Sequence, residues 1–149
     1  MKKSIIISLF GIVLLYGCSS TPNYKEASQF EIFEAVSNDF GVDSPEFKEC
    51  MECEAALKNA LKITESNVRF RKCSEAHVRY YDFCKKIGAT KAEQEFQYAI
   101  KCDIQNGYIS TSDIDRIKQM WIELDEVQEI KNRQIEERGR EADEYFNTH

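Results

Sequence analysis

The sequence has few prolines, few histidines and no excess of basic residues. Its 149 residues include two prolines, two histidines and 20 basic side chains against 26 acidic ones, for a formal net charge of −6. A chain without a basic excess is poorly suited to neutralise phosphates, which argues against sequence-independent nucleic-acid binding. The low proline and glycine content, together with 42% hydrophobic residues, argues against a disordered chain. The length fits one domain.

Long hydrophobic runs are also absent, and the one short run lies near the amino terminus. Lys2 and Lys3 precede an apolar segment from Ile5 to Leu15. This segment is shorter than the ~20 residues that span a bilayer, so it predicts the hydrophobic region of a signal peptide. It ends in Leu15-Tyr16-Gly17-Cys18, which resembles the lipobox of bacterial lipoproteins.

The resemblance to bacterial lipoproteins implies that the thiol of Cys18 receives a diacylglycerol. It also implies that residues 1–17 are removed and that the new amine is acylated, for example with palmitate. Ser19 follows the cysteine, which in such proteins directs sorting to the outer membrane, with residues 18–24 as anchor and tether on the periplasmic face. Loss of Lys2 and Lys3 changes the net charge from −6 to −8. An acidic body is not attracted to anionic lipid, so the lipid anchor is the expected membrane contact.

Helix start and stop signals recur from residue 25 onward, whereas no alternating strand pattern of useful length is present. The chain therefore predicts one all-α domain over 25–149, a compact bundle of four to five antiparallel helices tied by disulfides, with a long C-terminal helix. The predicted starts are Ser28-x-x-Glu31, Ser44-Pro45, Ser66 or Asn67, Thr90-x-x-Glu93 and Ser112, and the predicted stops are Gly41, Gly88 and Gly107.

Two of the predicted helices carry apolar stripes. In one, the apolar positions recur at alternating spacings of three and four, which predicts a buried seam. Its members are Phe70, Cys73, His77, Tyr80, Cys84 and Ile87, and those of the C-terminal helix are Ile114, Ile117, Trp121, Leu124 and Val127. Beyond about residue 136 the last helix becomes entirely polar, which favours a solvated end that protrudes or frays after Gly139 over a docking arm.

Five cysteines remain once Cys18 carries lipid, and disulfides are expected because the periplasm is oxidising. An odd number leaves at least one thiol over. Partners across a helical hairpin lie at similar distances from its turn, and this spacing favours Cys73–Cys102 and Cys50–Cys84. Cys53 is then the predicted free thiol, open to a dimer through an intermolecular bond.

The same residues allow a second interpretation, a metal site. Cys50-x2-Cys53 and Cys73-x3-His77 place two ligands on each of two antiparallel helices, with Cys53 and His77 facing each other across the hairpin. Three thiolates and one imidazole suit tetrahedral Zn²⁺. The oxidising compartment argues against this site. Without it, no cofactor is expected apart from the covalent lipid on Cys18.

No glycine-rich phosphate loop is present, and the internal histidine lies in the predicted seam, so we do not expect an enzyme. By size, location and class the chain resembles the secretin pilotins, which bind the C-terminal segment of a secretin and carry it to the outer membrane. That resemblance implies a non-enzymatic protein-binding module with an apolar groove between helices. Two alternatives stay open. One is an exclusion or immunity lipoprotein whose acidic face meets a basic effector, and the other is a metal or redox lipoprotein using Cys50, Cys53, Cys73 and His77.

Overall fold

A computed structural model describes residues 21–148, which form five helices joined by short connections and contain no strand. The helices are α1 (Ile32–Phe40), α2 (Pro45–Leu61), α3 (Ser66–Ile87), α4 (Thr90–Gln105) and α5 (Asp113–Thr148). The predictions of an all-α fold and of a long C-terminal helix are confirmed. Cys18, the signal peptide and the first residues of the tether lie outside the described residues. Within residues 21–148 no helix is both long and apolar enough to cross a membrane.

Two predicted helix boundaries are confirmed by their capping contacts. The side chain of Ser44 accepts a hydrogen bond from the backbone N–H of Phe47 at 3.1 Å, and Pro45 is the first residue of α2. At the end of α3, Gly88 has φ of 75° and its N–H bonds to the carbonyl of Cys84. Glycine takes this left-handed conformation without strain, so it ends α3 as expected.

The predicted capping boxes behave differently. The backbone N–H of Ser28 donates to the Glu31 carboxylate at 2.9 Å, but this contact closes a turn, and α1 begins one residue later at Ile32. Phe30 lies on that turn and is 87% exposed. Thr90 is the first helical residue of α4 and donates to the Gly88 carbonyl, so it does not cap the helix.

The last helix begins where the sequence predicts, but the contacts at its start differ from the prediction. Its first residue is Asp113, directly after the predicted cap Ser112, and the Asp113 carboxylate accepts hydrogen bonds from the backbone N–H and the hydroxyl of Ser110, each at 2.9 Å. These contacts lower the pKa of Asp113, with the backbone bond as the largest cause. The sequence prediction of Ser112 as the cap therefore missed a side chain that reaches backward across the turn.

Helix α3 is the centre of the bundle, because α2, α4 and α5 all pack against it. A single seam does not describe its buried surface. Tyr80 and Cys84 are buried as predicted, but Phe70 is 36% exposed, and residues outside the predicted seam, including Val78 and Phe83, are fully or almost fully buried. A helix contacted on three sides buries most of its circumference, which a one-face pattern underestimates.

Two apolar clusters hold the helices together. The larger cluster joins α1, α2, α3 and the start of α4 around Tyr80, Phe83 and Phe96. The smaller one joins Val78 of α3 to Ile109 and Ile117, and it is the cluster that attaches α5 to the rest of the bundle. The long helix is therefore held at its beginning only.

Past Trp121, every residue of α5 from Ile122 to Thr148 is exposed. We call this segment the arm; at 1.5 Å per residue it is about 40 Å long. The structure thus places the protruding part fourteen positions earlier than residue 136, and the helix continues through Gly139 to Thr148. Apolar side chains lie on the arm as well, each about half exposed, for example Leu124, Val127 and Ile130.

Candidate functional site

A cleft of about 660 Å³ lies where α5 diverges from α2. It is lined by one face of α2, by a few side chains of α3 and by the face of α5 that is turned toward them. Its lining consists of Glu52, Ala55, Ala56, Asn59, Ala60, Ile63, Lys72, Glu75, Arg79, Met120, Trp121, Leu124, Asp125, Gln128 and Asn132. This volume is in the range of ordinary ligand pockets.

The α2 wall of the cleft is made of small side chains. Ala55, Ala56 and Ala60 line it together with Ile63, at spacings that lie along one face of a helix. Alanine leaves the helix backbone close to the surface, so another helix can approach this wall closely. The wall therefore has the shape of a docking surface for a helix.

The α5 wall begins with apolar side chains, becomes polar from Asp125 onward, and is fixed by the single tryptophan of the chain. The indole Nε1 of Trp121 donates to the backbone carbonyl of Glu75 at 2.9 Å. The guanidinium of Arg79 lies 4.7 Å from the centre of the indole ring, a cation–π contact. With Met120 and Leu124 beside it, Trp121 gives the cleft a rigid aromatic base.

Arg79 also links three helices at the mouth of the cleft. Its Nη2 atom donates to Glu52 of α2 at 2.9 Å and to Asp125 of α5 at 2.6 Å. The Arg79 side chain is 13% exposed, whereas both carboxylates are about half exposed. Partial burial raises the pKa of Glu52; Arg79 opposes this shift, while Asp125 and other nearby carboxylates add to it.

Three cysteines lie together in the main core. Cys50, Cys53 and Cys84 are fully buried, and burial raises the pKa of each thiol, that of Cys50 to about 12. The Cys50 Sγ atom lies 3.9 Å from the hydroxyl of Tyr80, which donates to Glu54 at 2.8 Å. Thiols in such surroundings stay protonated and act as small apolar groups, not as nucleophiles.

The predicted disulfides are not supported. All five cysteines within residues 21–148 are free thiols, including Cys50 and Cys84 in the same core cluster. The charge of Asp103, one residue after Cys102, contributes to a raised pKa of Cys73, although burial contributes more. One residue is a rotation of about 100° around a helix. The distance of a cysteine from the turn predicts its level along the helix axis. It does not predict the direction around the axis in which the side chain points.

Cys53, the predicted free thiol, is free in the structure and fully buried. It therefore has no access to a second chain in this fold. Thiols that are partly accessible belong instead to Cys73 and Cys102.

The structure does not bring the four residues of the alternative zinc site together. The Nδ1 atom of His77 lies 2.7 Å from the Asp103 carboxylate and its ring lies 6.3 Å from that of Phe96, both on α4. His77 thus pairs with α4, whereas Cys53 packs in the core cluster of α2 and α3. No group of three or more potential ligands that could hold a metal ion occurs in the part of the chain described.

The sequence analysis expected an apolar groove between helices, but it did not locate the cleft or name its residues. One sequence feature that could have located the cleft is the alanine face of α2, which a search for large apolar residues does not detect. The other signal was Arg79, a single cation between Glu52 and Asp125, which are distant in sequence. No protein-family model matches the chain, and no curated protein and no solved structure is significantly similar to it.

Proposed function

We propose that this protein is a non-enzymatic protein-binding module that is held at the outer membrane by lipid on Cys18, and that the cleft between α2 and α5 receives a helix of its partner. The observation that carries the proposal is the cleft, with a wall of small residues facing a fixed aromatic and aliphatic wall. Amphipathic helices bind in apolar grooves of this kind in many complexes.

The composition of the cleft supports binding of protein over binding of a small polar molecule. Its apolar lining is supplied by alanines and by Met120, Trp121 and Leu124, and its charged groups lie in ion pairs. Rigid aromatic side chains such as Trp121 are the usual centres of protein interfaces.

The groups that carry chemistry in enzymes have structural roles in this domain, which also favours a binding function. The three core thiols are buried and protonated, and His77 is paired with Asp103 across α3 and α4. A catalytic thiol or imidazole needs access to a substrate. The four residues on which the metal or redox alternative was based do not form a cluster in the part of the chain that the structure describes.

The proposed lipid anchor determines which cellular role we propose for the binding module. A binding module attached by Cys18 through a short tether can hold or escort another protein at the periplasmic face of the outer membrane, as a pilotin does for a secretin. Several acyl chains on one residue give firm anchoring, so the partner would be brought to the membrane by the module.

Site-specific photocrosslinking in the native cell tests the proposal. A photoreactive residue at Asn59 or Gln128, on opposite sides of the cleft, is expected to give a discrete adduct, whereas one at exposed Tyr98 of α4 is not. The substitution Ala56→Leu fills the cleft and should abolish the adduct, and Ala142→Leu on the exposed arm is its matched control. Equal crosslinking from Asn59 and Tyr98, or an adduct that survives Ala56→Leu, would contradict the cleft as the binding site.

An exclusion or immunity function is the second candidate, and the acidic mouth of the cleft formed by Glu52 and Asp125 favours it. The same adduct separates the two candidates. A resident outer-membrane protein in the adduct supports the assembly role. An adduct that forms only when an exogenous effector or conjugation apparatus is supplied supports exclusion or immunity.

A further inference from the structure

The charge around the mouth of the cleft is not balanced within the chain. Glu52 and Asp125 share one donor, Arg79 Nη2, and Glu49 and Glu129 lie close enough to contribute to the raised pKa of Glu52. A second cation, Lys86, binds Glu49 through its Nζ at 2.8 Å. Four carboxylates therefore face two cations.

Arg79 already makes contacts with one aromatic ring and two carboxylates. It stacks on Trp121 at 4.7 Å while Nη2 donates to both acids. The two carboxylates are about half exposed, and a carboxylate offers about four acceptor positions. Glu52 and Asp125 therefore keep unused acceptor capacity toward solvent, beside the apolar wall.

The opposite end of the cleft lacks this excess of acidic groups. There the lining residues Lys72 and Glu75 pair at 2.9 Å, and Arg71, which does not line the cleft, lies 3.5 Å from the same carboxylate. The excess of carboxylates therefore lies at the end of the cleft marked by Glu52 and Asp125. Ala60 is eight positions beyond Glu52 on α2, so the two ends lie about 12 Å apart, or about two helical turns.

We infer that the partner helix is amphipathic and cationic, with an apolar stripe against the alanine wall and a Lys or Arg at one end of that stripe, bound by Glu52 and Asp125. This inference rests on the proposed function and adds the chemistry of the partner. Filling the cleft removes water from the two carboxylates, and a desolvated carboxylate without a new donor is costly. A cationic side chain supplies that donor, and an acidic one at the same position is repelled.

Three synthetic helical peptides serve as probes. They share one face of leucine and alanine, and they differ only at two flanking positions at one end, which are Lys, Gln or Glu. Binding to the full chain is followed by peptide anisotropy and by the emission of Trp121, the single tryptophan. We expect the Lys peptide to bind at least about tenfold more tightly than the Glu peptide, with a difference that shrinks as salt is raised.

Charge-neutral variants test the two acids directly. Glu52→Gln and Asp125→Asn should each weaken the Lys peptide by about three- to tenfold and leave the Gln peptide almost unaffected. Glu34→Gln, at an exposed position of α1, is the matched control and should change nothing. Equal binding of the Lys and Glu peptides, both abolished by Ala56→Leu, would overturn the charge inference and leave the helix-binding cleft standing. No binding of any peptide would overturn both.

Discussion

The body of the bundle and the arm of α5 are built from similar helical patterns, yet they have opposite surroundings. In the body, Tyr80, Phe83 and Phe96 are buried against neighbouring helices. In the arm, Leu124 and Val127 continue the apolar spacing of α5 and are about half exposed. An apolar stripe therefore predicts a helix, whereas the burial of the stripe depends on whether another element of the chain packs against it.

The two regions also hold their helices in different ways. The body is stabilised by its apolar clusters. The arm pairs with the body through Asp125 and Arg79, and farther along it the contacts are local, such as Gln128 Nε2 with Asn132 at 2.9 Å. Isolated helices are marginal in water because their first turn is costly to form. The arm extends a helix that is already started and anchored by Ile117 and Trp121, so its stability depends on that anchor.

The largest contrast is expected for phenylalanine in the two regions. Phe83→Ala in the core should lower the free energy of unfolding by about 3–5 kcal/mol, because it removes a fully buried ring. Phe146→Ala, the matched change at a 79% exposed position of the arm, should cost less than about 0.5 kcal/mol. Urea denaturation of both variants measures the difference. Similar costs at the two positions would mean that the arm is packed in solution.

A second difference concerns pH, since the core contains the three buried thiols and the arm contains none. An unfolded thiol has a pKa near 9.0, and in the folded core that of Cys50 is about 12, with those of Cys53 and Cys84 also raised. The unfolded state therefore releases protons that the folded state keeps. The thiols contribute full stability below pH 9 and lose that contribution as pH rises above it.

Between pH 8 and pH 10 we expect the three thiols together to lower the free energy of unfolding by about 4 kcal/mol, in roughly equal shares. Denaturation midpoints in reducing buffer measure this loss, and Cys53→Ala should remove about a third of it. A flat profile in reducing buffer would contradict the prediction. A loss that appears only with reductant would indicate that these thiols form a disulfide under oxidising conditions.

An intermediate effect is expected at Trp121, where the arm begins. Trp121→Leu removes the hydrogen bond to the Glu75 carbonyl and the ring under Arg79, which should cost about 1–2 kcal/mol. Hydrogen exchange of the arm should also accelerate, since the helix loses its anchor. Ile130→Ala, farther along the arm, is the control and should change neither quantity appreciably. Unchanged exchange in Trp121→Leu would mean that the arm is stabilised elsewhere.

Local signals in the sequence were sufficient for the fold class and for several boundaries. Ser44 with Pro45 starts α2, and Gly88 ends α3, because each effect involves residues within one turn of the chain. The hydrogen bond from Ser110 to the Asp113 carboxylate was not predicted, because the sequence favoured Ser112, one position before Asp113, as the cap.

The site could not be predicted in the same way, because it depends on rotation about helix axes. The spacing of Cys53 and His77 gave their level along a hairpin and put them face to face, yet His77 pairs with Asp103 of α4. The cleft depends on where α5 leaves the body, and Arg79 reaches Glu52 and Asp125 from positions 27 and 46 residues apart. No local pattern encodes those distances.

The smallest effect is expected from deleting residues 136–148, the last part of the arm. Every described side chain of this segment is exposed, and the cleft lining ends at Asn132. We therefore expect the free energy of unfolding to change by less than about 0.5 kcal/mol, with a loss of helical circular dichroism in proportion to the residues removed. Binding of the Lys peptide should be unchanged, because its proposed contacts all precede the deletion. A cost above about 1 kcal/mol, or weaker peptide binding, would instead assign the segment a docking role and make the arm more like the body than its exposure indicates.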